Sequence, residues 1–492
     1  MGLFELLKKA FKESTLPKSA EKITVKPTIE VRKRYDKETK RYDDEQSQNK
    51  SFSTKDSIFE RQVDRNLNGI ELEKEGNVDD AISLYELNIA ERFEGNHPYD
   101  SLASIYRERK QYDEEIRVLE RAIEVFAELE LTSPRQDVTP KLQRFRERLE
   151  QTKDIKEVST EKLSNGLFPG EVILIDWISG KPQNVRIPRF FYERYGVNAE
   201  ESLKKLVKEG YLTEGTPFDS LVSLTIPELK ELLRTKQLKV GGKKAELISR
   251  IREHFTEEEV KSLVGDNPVL TIAPKGEATL NEFYYIVPAH RHPSSDGAYN
   301  VASAIRHVKK FDYNPPNGDI SFTLIHEQVG KHAINRKYGL MRNSIRCLAE
   351  QLERENRYDD ALFHYLRVFI SEASGMWNGN RLSLVRNLLI DWFPSYKPVK
   401  GLAERLEMSD KELRDMFDYT WGRTRGELSY HYLTKDECYR CLQLAMEKNE
   451  KELENLYNHA YERLKAEHDD DSFYKAYGVY FPFDHNERFG SY

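Results

Sequence analysis

The chain has 492 residues, of which 38% are hydrophobic, 33% charged and 11% aromatic. That length exceeds one ordinary core and calls for two to four domains, while 27 Tyr and 23 Phe exclude wholesale disorder. A formal net charge of −7 excludes a global pull on nucleic acid, so any such contact has to come from a local basic patch. Three cysteines, Cys347, Cys438 and Cys441, cannot build a disulfide framework for a chain of this size. With no cleavable leader and no long apolar span, the expected setting is a reducing cytoplasm.

The pattern is that of a mainly α multidomain protein. "MGLFELLKKAFK" gathers Leu3, Phe4, Leu6, Leu7, Ala10 and Phe11 near one helical face, with Lys8, Lys9 and Lys12 beside them, which predicts a basic amphipathic helix over 1–12. Residues 13–57 carry few large apolar groups and read as a flexible charged arm.

Residues 58–155 read as a helical domain. Within it "NGIELEKEGNVDDAISLYELNIA" and "LASIYRERKQYDEEIRVLERAIEV" superimpose at an offset of about 34 residues. Small Gly69 and Ala103 allow close helix approach, Leu72 and Tyr106 fill between the helices, and Tyr85 and Leu119 bury the second helix of each pair. "CLAEQLERENRYDDALFHYLRVF" repeats this grammar with Ala349, Leu352, Ala361 and Tyr365. These pairs, over 66–130 and 345–370, resemble tetratricopeptide repeats, a likeness that implies a surface for a protein or peptide. Asn88 and Glu115 depart from that pattern, standing where small residues are usual.

A small α+β unit is expected over 160–220. Pro169 and Gly170 read as a turn, and the Val, Ile and Leu run after them as a buried strand. Asn198 and Glu201 stand at capping-box spacing for a helix that Gly210 stops, and the Gly-Tyr-Leu that closes it resembles a winged-helix fragment.

Residues 221–255 are the most informative stretch. Thr225 and Glu228 form a second capping-box pair, Pro227 suits a first turn, and Leu229, Leu232 and Leu233 line one face. A second helix from Lys243 carries Leu247, Ile248, Ile251 and Phe255, with Gly241 and Gly242 permitting a tight entry. "ELKELL", "KQLKV" and "GKKAELISRI" together resemble a SAP domain, a helix, extended crossing and helix. One departure is Gln237, where that family usually has Gly. The resemblance implies duplex DNA as ligand, and such modules occur in bacterial and phage proteins among others. Gly242 at the start of a helix exposes backbone N–H groups that, together with Lys243 and Lys244, suit a phosphate, and Lys236, Lys239, Arg250 and Arg252 extend the site.

Residues 256–335 read as mixed strand and loop. Here "NEFYYIVPAHRHPSSDG" brings together Glu282, His290, His292 and Asp296; two histidines flanking one residue on an extended segment would share a side, a starting point for a divalent metal. His326 and His332 are six apart, nearly opposite on a helix. Over 336–492 a C-terminal helical domain is expected, with Cys438 and Cys441 on one edge of a long helix, where cysteine packs as a small apolar residue; the alternative use of the pair is as metal ligands.

The leading expectation is a non-enzymatic, DNA-associated adaptor without a cofactor: the SAP-like module on duplex DNA, a protein partner on the helical pairs, and a homo-oligomer as an option for strengthening single-module binding. Two alternatives stand beside it. One is a divalent-metal-dependent nuclease using His290, His292 and Asp296; the other is a pure protein-interaction scaffold.

Overall fold

The computed structural model describes residues 54–133, 135, 137–264, 268–377, 381–382, 394–468 and 470–477. The expected helix at 1–12 and nearly all of the expected arm lie outside the described residues. The chain divides into two units, Met1–Glu150 and Gln151–Tyr492.

In the first unit, α1 (Thr54–Glu75) pairs with α2 (Val78–Ala90), and α3 (His97–Glu108) with α4 (Tyr112–Thr132). The repeat grammar has a direct physical basis. A methyl group on Gly69 would stand 2.5 Å from Tyr85 Cε1, so glycine is what lets α1 and α2 close on each other. Ala81, Ala103, Leu119 and Tyr85 are fully buried. Both departures from the small-residue pattern make hydrogen bonds. Glu115, with no exposed side-chain area, takes Arg107 Nε and Nη2 at 2.6 and 2.9 Å. Buried Asn88 donates to Gln62 O at 2.8 Å and to Asn66 Oδ1 at 3.1 Å. α5 (Val138–Thr160) follows, and its Phe145 meets Phe126 and Tyr99 in a ring cluster.

The second unit opens with a correction. The run after Pro169 is α6 (Pro169–Ile178), a helix. Pro169 occupies the first turn, and Glu171 Oε2 accepts from Phe168 N–H at 2.9 Å, which are helix-start features. Val172, Ile173, Leu174, Ile175 and Ile178 are each 1% exposed or less, so burial on every side erases the periodicity that distinguishes a helix from a strand. α7 (Phe190–Tyr195) and α8 (Ala199–Lys208) come next, α8 capped by Asn198 and followed by Gly210 at φ +78°.

From Tyr211 the chain enters β1 (Leu212–Glu214), then α9 (Pro217–Ser220), a 3₁₀ turn at Leu221–Ser223, α10 (Ile226–Thr235), α11 (Lys244–His254) and α12 (Glu257–Val264). It returns as β2 (Leu270–Ile272). β1 and β2 are antiparallel, with Leu212 opposite Ile272 and Glu214 opposite Leu270. Everything from α9 to α12 is therefore an insertion whose two ends leave side by side through a two-stranded ribbon.

The expected mixed strand and loop stretch is mostly helical: α13 (Pro274–Glu282), α14 (Ile286–Arg291), α15 (Val301–Val308) and α16 (Asn317–Ile334). α17 (Tyr338–Arg354) and α18 (Tyr358–Ala373) form the third repeat-like pair. It copies details of the first pair. Tyr365 Oη donates to Glu353 as Tyr85 Oη does to Glu73, and Asn356 at φ +61° matches Gly76 at φ +84° and Lys110 at φ +55° in the other two turns. A short ribbon, β3 (Met376–Trp377) with β4 (Arg381–Leu382), precedes α19 (Tyr396–Arg405) and α20 (Asp410–Thr424). The expected single long helix is two, α21 (Lys435–Glu447) and α22 (Glu450–Glu467), because Lys448 turns left-handed at φ +57° and Asn449 caps the second. α23 (Asp470–Tyr477) closes the described chain. One continuous core runs from Val158 to Phe473, and no described helix is long and apolar enough to cross a membrane.

Candidate nucleic-acid interface

The insertion has a core of its own. Leu229, Leu232 and Leu233 of α10 meet Leu247 and Ile251 of α11, and Phe255, Leu221 and Val260 close the two ends. The core thus reaches past the stretch read from sequence, into α12 through Val260. Three of its helices begin with reciprocal Thr and acid pairs: Thr216 with Asp219, Thr225 with Glu228, and Thr256 with Glu259.

α10 ends in a Schellman motif. Leu238 N–H donates to Leu233 O and Gln237 N–H to Arg234 O, both at 2.9 Å, which requires Gln237 in the left-handed region at φ +56°. The one departure from the family pattern therefore sits in the conformation that favours glycine. Beyond it Leu238 and Val240 turn inward and Lys239 outward, the alternation of an extended segment.

α11 begins differently from its neighbours. Its N-cap is Lys243, one residue before the first helical residue Lys244, and no side chain caps its first turn. Gly242 lies at φ +129°, a backbone conformation that residues with a side chain rarely adopt, so the entry favours glycine; a Cβ there would also displace the Glu246 carboxylate, whose Oε2 is 2.4 Å away. First-turn N–H groups without a side-chain acceptor form the positive end of the helix, with Glu246 as the opposing local charge.

Of the seven residues singled out for DNA contact, the six basic ones fall into two sets. Four basic side chains tie the module together. Lys236 Nζ donates to His254 O at 2.8 Å and to Glu259 Oε2 at 2.7 Å, and lies 4.3 Å from the Phe255 ring centre. Lys244 donates to Val222 O at 2.8 Å, and Arg252 pairs with Asp219 at 3.1 Å. Arg250 reaches Lys239 O at 2.6 Å and Gly241 O at 3.2 Å, pinning the crossing segment to α11. Lys239 and Lys243 are exposed, and their ammonium groups have no partner among the described residues. They flank Gly242 at the start of α11.

The histidine stretch is arranged otherwise than as an extended strand. His290 lies in the last turn of α14 and His292 is its C-cap. His290 Nδ1 lies 2.8 Å from Tyr195 Oη, and its ring packs 5.0 Å from that of Phe190. Burial, with Arg194 and Arg291 nearby, holds its pKa below the usual imidazole range. His292 is exposed, while Asp296 Oδ1 accepts from Ser294 Oγ and Ala298 N–H in a local turn. His326 stacks on Phe322, and His332 Nε2 contacts Gln328 at 3.1 Å. Cys438 and Cys441 are buried in α21, where burial pushes both thiols up, Cys441 to about 12; Cys441 Sγ faces Tyr457 Oη. Among the described residues no group of three His, Cys, Asp or Glu side chains is placed to hold a metal ion.

A family model for the SAP domain matches residues 220–256, a small part of the chain. Those residues are a SAP domain, a nucleic-acid-binding module. No curated protein and no solved structure is matched by the chain.

Proposed function

We propose that the protein is a DNA-associated adaptor, in which the SAP domain contacts the phosphates of duplex DNA and the repeat-like helical pairs carry a protein partner. The observation that carries this reading is the start of α11: a first turn without a side-chain cap, opened by Gly242 and flanked by the unpartnered Lys239 and Lys243. Such a site reads phosphate charge and position; bases play little part. It also makes binding depend steeply on salt, the logarithm of affinity falling by about 0.9 per phosphate contact for each tenfold rise in salt.

The test is retention of labelled duplex DNA at two salt concentrations. Lys239→Glu with Lys243→Glu is expected to weaken low-salt binding by about ten- to a hundredfold and to reduce the salt slope by about two, with unfolding unchanged. Wild-type protein that fails to retain duplex DNA at low salt would point to the scaffold reading.

A further inference from the structure

Beside the base of the SAP insertion lies an open groove, walled by residues 183–189 on one side and by α8 on the other. The wall follows directly from the ribbon. Gly180 N–H donates to Leu270 O at 2.8 Å, Leu270 N–H to Lys181 O at 2.9 Å, and Pro182 bridges to Val269. Leu270 is thus both a strand residue of the ribbon and part of the groove lining.

The groove has two chemistries. Its rim carries Arg186, Arg189, Lys204 and Lys208, all exposed, against the single lining acid Glu200. Arg189 has a loose pairing with Glu193 at 3.6 Å; Arg186, Lys204 and Lys208 have no partner among the described residues. Lys204 and Lys208 stand one helical turn apart on α8, so they present their charge along the same edge. The floor is mainly aliphatic. Val185, Ile187 and Val207, all half-buried, line it; Phe191 is only 1% exposed, and Tyr192 is a lining ring that is 50% exposed.

We infer that this groove docks an acidic peptide segment of a partner protein, one that carries aliphatic or aromatic side chains between its carboxylates. Charge complementarity selects the class: four rim cations against one acid, in a chain whose net charge is −7. The floor separates a peptide from a nucleic-acid strand. Strand-binding grooves place successive aromatic rings where bases stack; here a single exposed ring, Tyr192, stands among branched aliphatic side chains, which accept the apolar side chains of a peptide. The inference is independent of DNA binding by the SAP domain and gives the adaptor a protein-binding site outside its helical pairs.

The test uses the full chain and a fluorescent peptide rich in Asp, Glu, Leu and Phe, followed by anisotropy. A second peptide has Ser at every Leu and Phe, and an unlabelled single-stranded oligonucleotide serves as competitor. The expected result is saturable binding of the first peptide, about tenfold weaker binding of the Ser peptide, and about tenfold weaker binding of the first peptide to the Lys204→Glu, Lys208→Glu variant. Both substitutions lie on the exposed edge of α8, and an unchanged unfolding midpoint shows that the variant is folded. Duplex retention by the same variant is expected to match wild type. Absence of saturable peptide binding overturns the inference, as does equal binding of the two peptides or displacement of the peptide by the oligonucleotide. Loss of duplex retention in the variant also overturns it, by assigning the rim to the DNA footprint; failure of wild type to retain duplex counts only against the DNA reading.

Discussion

The hairpin α17–α18 and the SAP domain are both pairs of helices with apolar seams, yet they are stabilised in opposite ways. α18 is enclosed: Ala361, Leu362, Leu366, Val368 and Phe369 have no exposed surface, and the pair lies in the core that runs through the second unit. The SAP domain together with α12 buries eight residues in a core of its own and completes it with threonine boxes, a Schellman turn and cation-to-carbonyl ties. Burial on all sides leaves a helix nothing with which to meet a ligand. A module held by surface devices keeps its polar atoms outward, and any two of them that are not used in holding it, such as Lys239 and Lys243, are available for contact.

The largest expected effect tests the enclosed side of this contrast. Phe369→Ala removes a fully buried ring from α18 and is expected to cost about 3–5 kcal/mol, visible as a lower unfolding midpoint of the second unit. Amide protection within residues 226–255 should fall far less if the SAP core is separate. Equal loss in both regions would show that the two cores unfold as one.

A second experiment uses titrating groups inside α18. Burial raises Glu372 to about 7, against the hydrogen bonds from Ser395 and the charge of Arg342, while burial together with Arg367 lowers His364 to about 3. Between about pH 4.5 and 7 the native state keeps a proton on Glu372 that the unfolded chain releases, so this group makes stability fall as pH rises. His364 acts with the opposite sign, since between about pH 6.5 and 3 the unfolded chain takes up a proton that the native state refuses, and stability falls as pH drops. The two slopes oppose each other where their ranges overlap. Glu372→Gln is expected to raise stability at pH 7 by roughly 2 kcal/mol, after a discount for the partial exposure of that side chain, and by almost nothing near pH 4.5. Chemical denaturation at the two pH values checks it.

Smaller effects belong to the SAP domain. Thr225→Ala removes the box at the start of α10 and is expected to cost about 1 kcal/mol, read as faster amide exchange in α10. Duplex retention at low temperature should be unchanged, because the box bonds only Thr225 to Glu228 and makes no hydrogen bond to Lys239 or Lys243.

How much of this could be read from the sequence follows the same division. The SAP domain was legible because its determinants are local: caps three residues apart, a glycine entry and one alternating crossing. α6 was not, since its neighbours α8, α13 and α14 lie far along the chain and bury every face, leaving an unbroken apolar run that reads as a strand. His290 was misplaced for a similar reason, because its partner Tyr195 is 95 residues away. Within the candidate site, residue types marked all seven positions, but nothing in the spacing showed that Lys236, Lys244, Arg250 and Arg252 would bond to backbone or acids of their own module. The basic groove beside α8 was likewise invisible, since Arg186 and Lys204 come together only through the ribbon that places residues 183–189 opposite α8.

The finest test concerns two residues that both sit at positive φ and are expected to respond with opposite signs. Gln237 holds a left-handed conformation that costs a residue with a side chain roughly 1–2 kcal/mol, while glycine there would lose about 0.4–1 kcal/mol through the greater freedom of the unfolded chain. The first effect is larger, so Gln237→Gly is expected to stabilise the module by about 0.5–1 kcal/mol and to slow amide exchange in α10 and α11. Gly242→Ala should do the reverse, because the added methyl would meet the Glu246 carboxylate in a backbone conformation that alanine resists. If Gln237→Gly instead accelerates exchange, the Gln237 side chain contributes more than its backbone conformation costs. The Schellman turn would then no longer account for the family position at which this chain departs.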